Sequence, residues 1–127
     1  MPVQGIGGLF FRAHDPAALA DWYRMHLGVG SGCSPESTAT GDDWCWQTAA
    51  GPVVFAPFAD DSDYFAADRR YMLNLRVTDL AGLIDRLAEA EIAVITRPEW
   101  NDPGIGRFAR IHDPEGNPIE LWEPPAA

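Results

Sequence analysis

An internal repeat constrains this chain more than any other feature. Sliding the 127-residue sequence by 64 positions pairs Leu9 with Leu73, Arg12 with Arg76 and Asp15 with Asp79. The same offset pairs Ala17 with Ala81, Leu19 with Leu83 and Asp21 with Asp85. Self-similarity at a fixed offset marks one supersecondary unit written twice, each copy needing cover for its apolar face. The chain is therefore expected to build two similar halves around a shared interior.

Each copy opens with an alternating strand, then an Asp, then a helix. Leu9, Phe11 and Ala13 alternate with Gly8, Phe10 and Arg12, and Leu73, Leu75 and Val77 alternate with Met72, Asn74 and Arg76. Period-two alternation places one set against an apolar layer and turns the other away from it. Asp15 reads as an N-cap with Pro16 at the first helical position, where a missing N–H costs nothing. Leu19, Trp22, Tyr23 and Leu27 then fall on one stripe, and Gly28 supplies the left-handed stop. The second helix starts from Asp79, turns Leu80, Leu83, Ile84 and Leu87 inward, and carries Asp85, Arg86 and Glu89 on its polar face. Further strands are expected at Cys33–Thr40, Asp43–Thr48 and Val53–Phe58 in the first half. In the second they are expected at Ala93–Arg97, Ile105–His112 and Pro118–Glu123. The fold class is α+β, with helices covering the outer faces of mainly antiparallel sheets. The inner faces are left to enclose a cavity. Residues 59–69 connect the halves. Their acids, Asp60, Asp61, Asp63 and Asp68, do not have calcium-loop spacing, and Tyr64–Phe65 is placed to pack as a flap over the cavity.

Charge narrows the partners. There are nine basic residues against 19 acidic ones, for a net charge of -10, and all nine are Arg. An acidic surface repels nucleic acid and anionic lipid, and a lysine-free chain cannot form a Schiff base. Cys33 and Cys45 have neither a zinc spacing nor the density of a disulfide framework. With no run of 18 apolar residues, the expectation is a cytoplasmic protein.

The most specific segment is His112-Asp113-Pro114-Glu115-Gly116-Asn117-Pro118-Ile119-Glu120-Leu121-Trp122-Glu123. Asp, Pro and Gly at successive turn positions before an alternating strand write a hairpin. Joined to two strand–Asp–helix openings, and to Asp15-Pro16-Ala17-Ala18-Leu19-Ala20-Asp21-Trp22-Tyr23 before Leu27-Gly28, it resembles the vicinal oxygen chelate superfamily of glyoxalases, bleomycin-resistance proteins and extradiol dioxygenases. The resemblance runs from about Ile6 to Pro124. It implies a single domain over 1–127 made of two βαβββ modules, about 5–58 and 70–124, with mixed sheets curled around a cavity. It also implies a homodimer. Metal-dependent members place one ligand on each of four strands. The matching positions here are Gly8, Met72, Glu120 and either Val54 or Phe55. One carboxylate is not the three or more N, O or S donors that Zn²⁺, Ni²⁺ or Fe²⁺ needs. No metal site and no cofactor are therefore expected, with a divalent metal as the main alternative. His14, His26 and His112 are not brought together by the sequence.

Strand parity proposes the cavity lining. Phe10, Arg12, Met72, Asn74 and Arg76 fall on the inward face of the two opening strands. Trp44 and Trp46 share a face of an earlier strand, Phe108 and Arg110 share one near the end, and Glu120 and Trp122 share one on the last strand. An aromatic pocket with a few convergent polar groups is the usual composition of a small-molecule site. Glu120 stays open between a structural carboxylate paired with Arg76, Arg12 or Arg110, a general base in an apolar setting, and a group that binds a ligand cation. Arg12 and Arg76 stay open between surface ion pairs and a ligand carboxylate. The tryptophans are candidates for core or dimer packing as well as for stacking on a ligand.

The leading expectation is a metal-independent protein that binds a small organic molecule, one with an anionic group being favoured by the interior arginines. A lyase, epimerase or dioxygenase using Glu120 is the alternative, and an antibiotic-sequestering protein a further one.

Overall fold

The computed structural model describes residues 5–30 and 46–126. Helix α1 spans Pro16–Leu27. The Asp15 carboxylate accepts from the Ala18 N–H at 3.1 Å, and Gly28, at φ 68, ends the helix by donating to the Arg24 carbonyl. A left-handed residue costs least as glycine, so the stop lies where the sequence puts it. Strand β1 spans Leu73–Arg76 and helix α2 spans Leu80–Glu89. Asp79 caps α2 through the Gly82 N–H at 3.2 Å. Leu80, Leu83 and Leu87 are buried, while Asp85, Arg86 and Glu89 face outward. After a short 3-10 turn at Pro98–Trp100 come β2, Arg107–His112, and β3, Pro118–Glu123.

The three strands form one sheet in the order β1-β3-β2, with β3 parallel to β1 and antiparallel to β2. Ala109, Ile111, Ile119 and Leu121 are fully buried on one face, against Leu75, the α2 leucines, and Leu19 and Tyr23 of α1. This is an α+β arrangement, a sheet with its helices on one side. Among the described residues no helix is long and apolar enough to cross a membrane.

The strand expectations divide between the halves. Pro118–Glu123 is a strand as expected, and the expected Ile105–His112 starts at Arg107. Its first two residues are drawn into a tight loop, with Gly106 at φ 132 and its carbonyl accepting from the Asp102 N–H. The expected strand Ala93–Arg97 reduces to a single bridge between Ile95 and Arg110. Residues 8–13, 46–48 and 53–58 carry no strand. A strand exists through the ladder it joins, and these segments stand clear of the sheet: Phe10 is 96% exposed and Phe55 86%. Cys33–Thr40, Cys45 and Trp44 lie outside the described residues.

A polar clasp ties α1 to the β2–β3 turn. Asp113, only 4% exposed, accepts from the Tyr23 hydroxyl at 2.8 Å, the Asn117 side-chain amide at 2.7 Å, and the N–H groups of Glu115 and Asn117. Glu115 accepts from the N–H groups of His14 and Asp15 at 2.7 and 3.0 Å. These are orphan donors at and before a helix start, where negative charge is stabilising. Arg69 adds bonds to the Glu115 carbonyl and the Asn117 side chain.

Candidate functional site

With the apolar residues of each strand turned to the helices, alternation sends Asn74, Arg76, Phe108, Arg110, Glu120 and Trp122 to the other face. Register then arranges them in two rows across the sheet. Asn74, Glu120 and Arg110 stand side by side in one row, and Arg76, Trp122 and Phe108 in the next. Six of the residues expected from parity are thus neighbours on one surface.

The first row brings together a carboxylate, an amide and a guanidinium. Glu120 is 8% exposed, and both of its oxygens are engaged. Oε1 accepts from the Asn74 amide at 2.7 Å and Oε2 from the Tyr64 hydroxyl at 2.5 Å. Arg110 is 6% exposed and donates from Nη1 to the Tyr64 carbonyl at 3.1 Å. Its guanidinium lies 4.8 Å from the Tyr64 ring centre and 5.2 Å from that of Trp100, distances at which a cation is attracted to a π face. Its Nε and Nη2 are buried without a hydrogen-bond partner among the described residues.

Aromatic rings wall the site. Phe108 and Trp122 are stacked at 6.3 Å with planes 4° apart, and the Trp122 indole N–H donates to the Ile105 carbonyl at 2.9 Å. Tyr64 contacts Phe58 and Trp100, and Phe58 also contacts Phe65. The connection between the halves therefore does fold over the sheet, with Tyr64 as its contact point. An open groove of about 580 Å³ adjoins the far ends of β2 and β3, lined by Asn101, Gly106, Arg107 and Glu123 among others. It adjoins Trp122 through Gly106, and the charged row is not part of its lining.

Burial pushes the Tyr64 phenol up to about 12, reinforced by its bond to Glu120 and the charge there, with Arg110 opposing. Tyr64 is thus a proton donor in a hydrogen bond, not a base, at neutral pH. His112 shares the parity of Arg110. Its pKa lies below the usual histidine range, through burial and then the Arg110 charge, so it is neutral at pH 7.

Several expectations change at this point. No ion pair joins Glu120 to an arginine among the described residues; its partners are a phenol and an amide. Neutral donors can reach both oxygens, whereas Arg76 is drawn away to the carbonyls of Pro52 and Ala49 at 2.6 and 2.8 Å. Phe10 and Arg12 lie on an exposed segment and do not join the row, Trp46 is 42% exposed, and Met72 is half-buried just before β1. Trp100 is a wall residue that parity could not find, because it sits on a turn with no strand period. Tyr64 had only its place in an aromatic pair to signal it.

The family metal positions can be tested on their donors. Gly8 has no side chain, Val54 and Phe55 are exposed hydrocarbons, and Glu120 has both oxygens occupied by donors. No group of three or more His, Cys, Asp or Glu lies together among the described residues. Together with Met72, a thioether, the family positions among the described residues thus offer a single carboxylate, Glu120.

Fold and sheet face together define the class. Residues 8–122 match the family model for a glyoxalase-like domain, and the chain belongs to that family, within the vicinal oxygen chelate superfamily. Among solved structures it is similar to TnmS3, an antibiotic-binding protein from Streptomyces sp. CB03234, at 24% identity over 98% of each chain with a TM-score of 0.58. It is also similar to a lactoylglutathione lyase from Agrobacterium tumefaciens, at 19% identity over 97% of this chain and 96% of that one, again with a TM-score of 0.58. At these identities the likeness shows the fold. No curated protein matches the chain.

Proposed function

We propose that this chain binds a small, partly aromatic organic molecule on the polar face of its sheet, without the divalent metal of its superfamily. The observation that carries the reading is the Asn74–Glu120–Tyr64 arrangement. The one carboxylate at a family ligand position is held by two hydrogen-bond donors inside an aromatic wall. A carboxylate with both oxygens so engaged is fixed in place for recognition. The fold alone does not choose between binding and catalysis, since one protein sharing it is an antibiotic-binding protein and another a lyase.

The test is metal analysis after native purification, combined with a thermal-shift screen of small aromatic molecules and divalent metals. A ligand at 100 times its Kd adds about 2.7 kcal/mol, so binders declare themselves as a raised Tm. Stoichiometric Ni, Zn, Mn or Fe in the purified protein overturns metal independence, and a screen without a single stabilising molecule overturns the binding reading. Turnover of any molecule found, lost in Glu120→Gln, makes the protein a lyase, epimerase or dioxygenase with Glu120 as base.

The reading includes a cytoplasmic homodimer built from two βαβββ modules per chain. Its support is the exposed apolar run of Val53, Val54 and Phe55, at 68%, 66% and 86%, together with Phe10. Apolar surface of this kind is what a second copy would cover. Sedimentation velocity at micromolar concentration checks it, a monomer being the contrary result.

A further inference from the structure

The unfinished hydrogen bonding of Arg110 specifies the ligand further, resting on the small-molecule reading above. A guanidinium presents five N–H donors in a rigid fork and is never neutral in a protein. In Arg110 the Nη1 side is taken by the Tyr64 carbonyl, while Nε and Nη2 are buried and unpartnered. Those two nitrogens form one edge of the fork, with parallel N–H bonds spaced to match the two oxygens of a carboxylate. Buried N–H donors of a cation that lack acceptors are costly to a fold. Such groups persist where another partner completes them.

Glu120 is the evident internal candidate, since it stands directly opposite Arg110 across the β2–β3 ladder. Both its oxygens already accept, from Tyr64 and from Asn74. Turning it to Arg110 would orphan a phenol or an amide. No carboxylate, Glu120 included, lies within 4.0 Å of an Arg110 nitrogen among the described residues. The cation also sits over the faces of Tyr64 and Trp100, which hold the fork in one orientation.

We propose that the Nε–Nη2 edge of Arg110 is a bidentate anchor for a ligand carboxylate, and that the ligands of this protein are aromatic or conjugated carboxylic acids. Arg110 completes its hydrogen bonding on the acid, and the ring lies against the aromatic wall. The charged handle is read by the guanidinium, while Glu120, held by neutral donors, rejects a second anion at its own position.

Benzoate and its neutral isostere benzamide are the probes. Tryptophan emission reports occupancy beside Trp100, and the ¹⁵N–¹H resonance of the Arg110 Nε–H reports the anchor itself. The expected result is saturable quenching by benzoate, a downfield shift of the Arg110 Nε–H, and binding of benzamide at least about tenfold weaker, as loss of a charged hydrogen bond implies. Arg110→Lys keeps the charge and loses the edge, so benzoate affinity falls about tenfold or more. Arg107→Lys, on the same strand but exposed, leaves it unchanged. Should Arg110→Lys not fold, the resonance shift in the unaltered protein still decides. Equal binding of benzoate and benzamide, or an Arg110 Nε–H that does not move at saturation, overturns the anchor and leaves the small-molecule reading standing. Failure of benzoate to bind overturns the anchor as well, and the small-molecule reading falls with it only if the wider screen is also silent.

Discussion

The β2–β3 hairpin carries two buried carboxylates: Asp113 in the turn and Glu120 midway along β3. They sit in opposite kinds of network. Asp113 accepts four hydrogen bonds, from a tyrosine, an asparagine and two backbone N–H groups. All four of these donors come from the chain itself, and the result ties helix α1 to the sheet. Glu120 is satisfied too, but its neighbour Arg110 keeps two buried donors unpaired. A closed network holds a fold together, whereas an open one leaves donors for the ligand proposed above to complete. Two similar acids on one hairpin thus separate scaffold from site.

Mutations can break this contrast. Asp113→Ala leaves the Tyr23 hydroxyl and Asn117 without their acceptor, and a loss of about 3–5 kcal/mol is expected in urea unfolding, near the top of the range for single substitutions. Glu115→Ala removes the acceptor at the α1 start and should cost about 1–2 kcal/mol, comparable to losing a helix cap, with fraying of residues 14–18 visible in amide exchange. Arg110→Met should behave in the other direction. Replacing an incompletely paired buried cation by a hydrocarbon of similar length changes stability by less than about 1 kcal/mol or raises it. A destabilisation as large as that of Asp113→Ala would place Arg110 in the scaffold and erase the contrast.

The smallest effect is a titration. The Tyr64 phenol is held up at about 12, so its stabilising contribution is fully present below its unfolded pKa near 10 and is lost as pH rises through 12. Tyr23 and Tyr71 are also shifted upward, chiefly by burial. Absorbance at about 295 nm should therefore show all three phenols ionising above the usual value near 10, with Tyr64→Phe removing one step. A phenol titrating at its usual value in the folded protein would contradict the Tyr64–Glu120 bond.

Much of the scaffold is legible in the residues. Asp15-Pro16 and Gly28 bound α1, Asp79 starts α2, and Pro118–Glu123 is a strand from end to end, because caps, stops and alternation act over a few residues. Parity also placed Asn74, Glu120, Arg110, Phe108 and Trp122 on one face. It failed for Phe10 and Arg12, since alternation describes a strand only when a ladder holds it.

By itself, then, the sequence determined α2 and the strands β1, β2 and β3 of the second half, the sheet face their residues take, and membership of a glyoxalase-like family, but not the expected strand Ala93–Arg97. Tertiary structure alone decided who meets whom. Tyr64 reaches Glu120 across 56 residues and Arg110 across 46, while Trp100 enters the same wall from a turn. Such pairings depend on how separate segments pack, and no local period encodes them. Whether a buried charge is fully answered within its own chain is a property of that packing, and among the described residues Arg110 is where two donors are not.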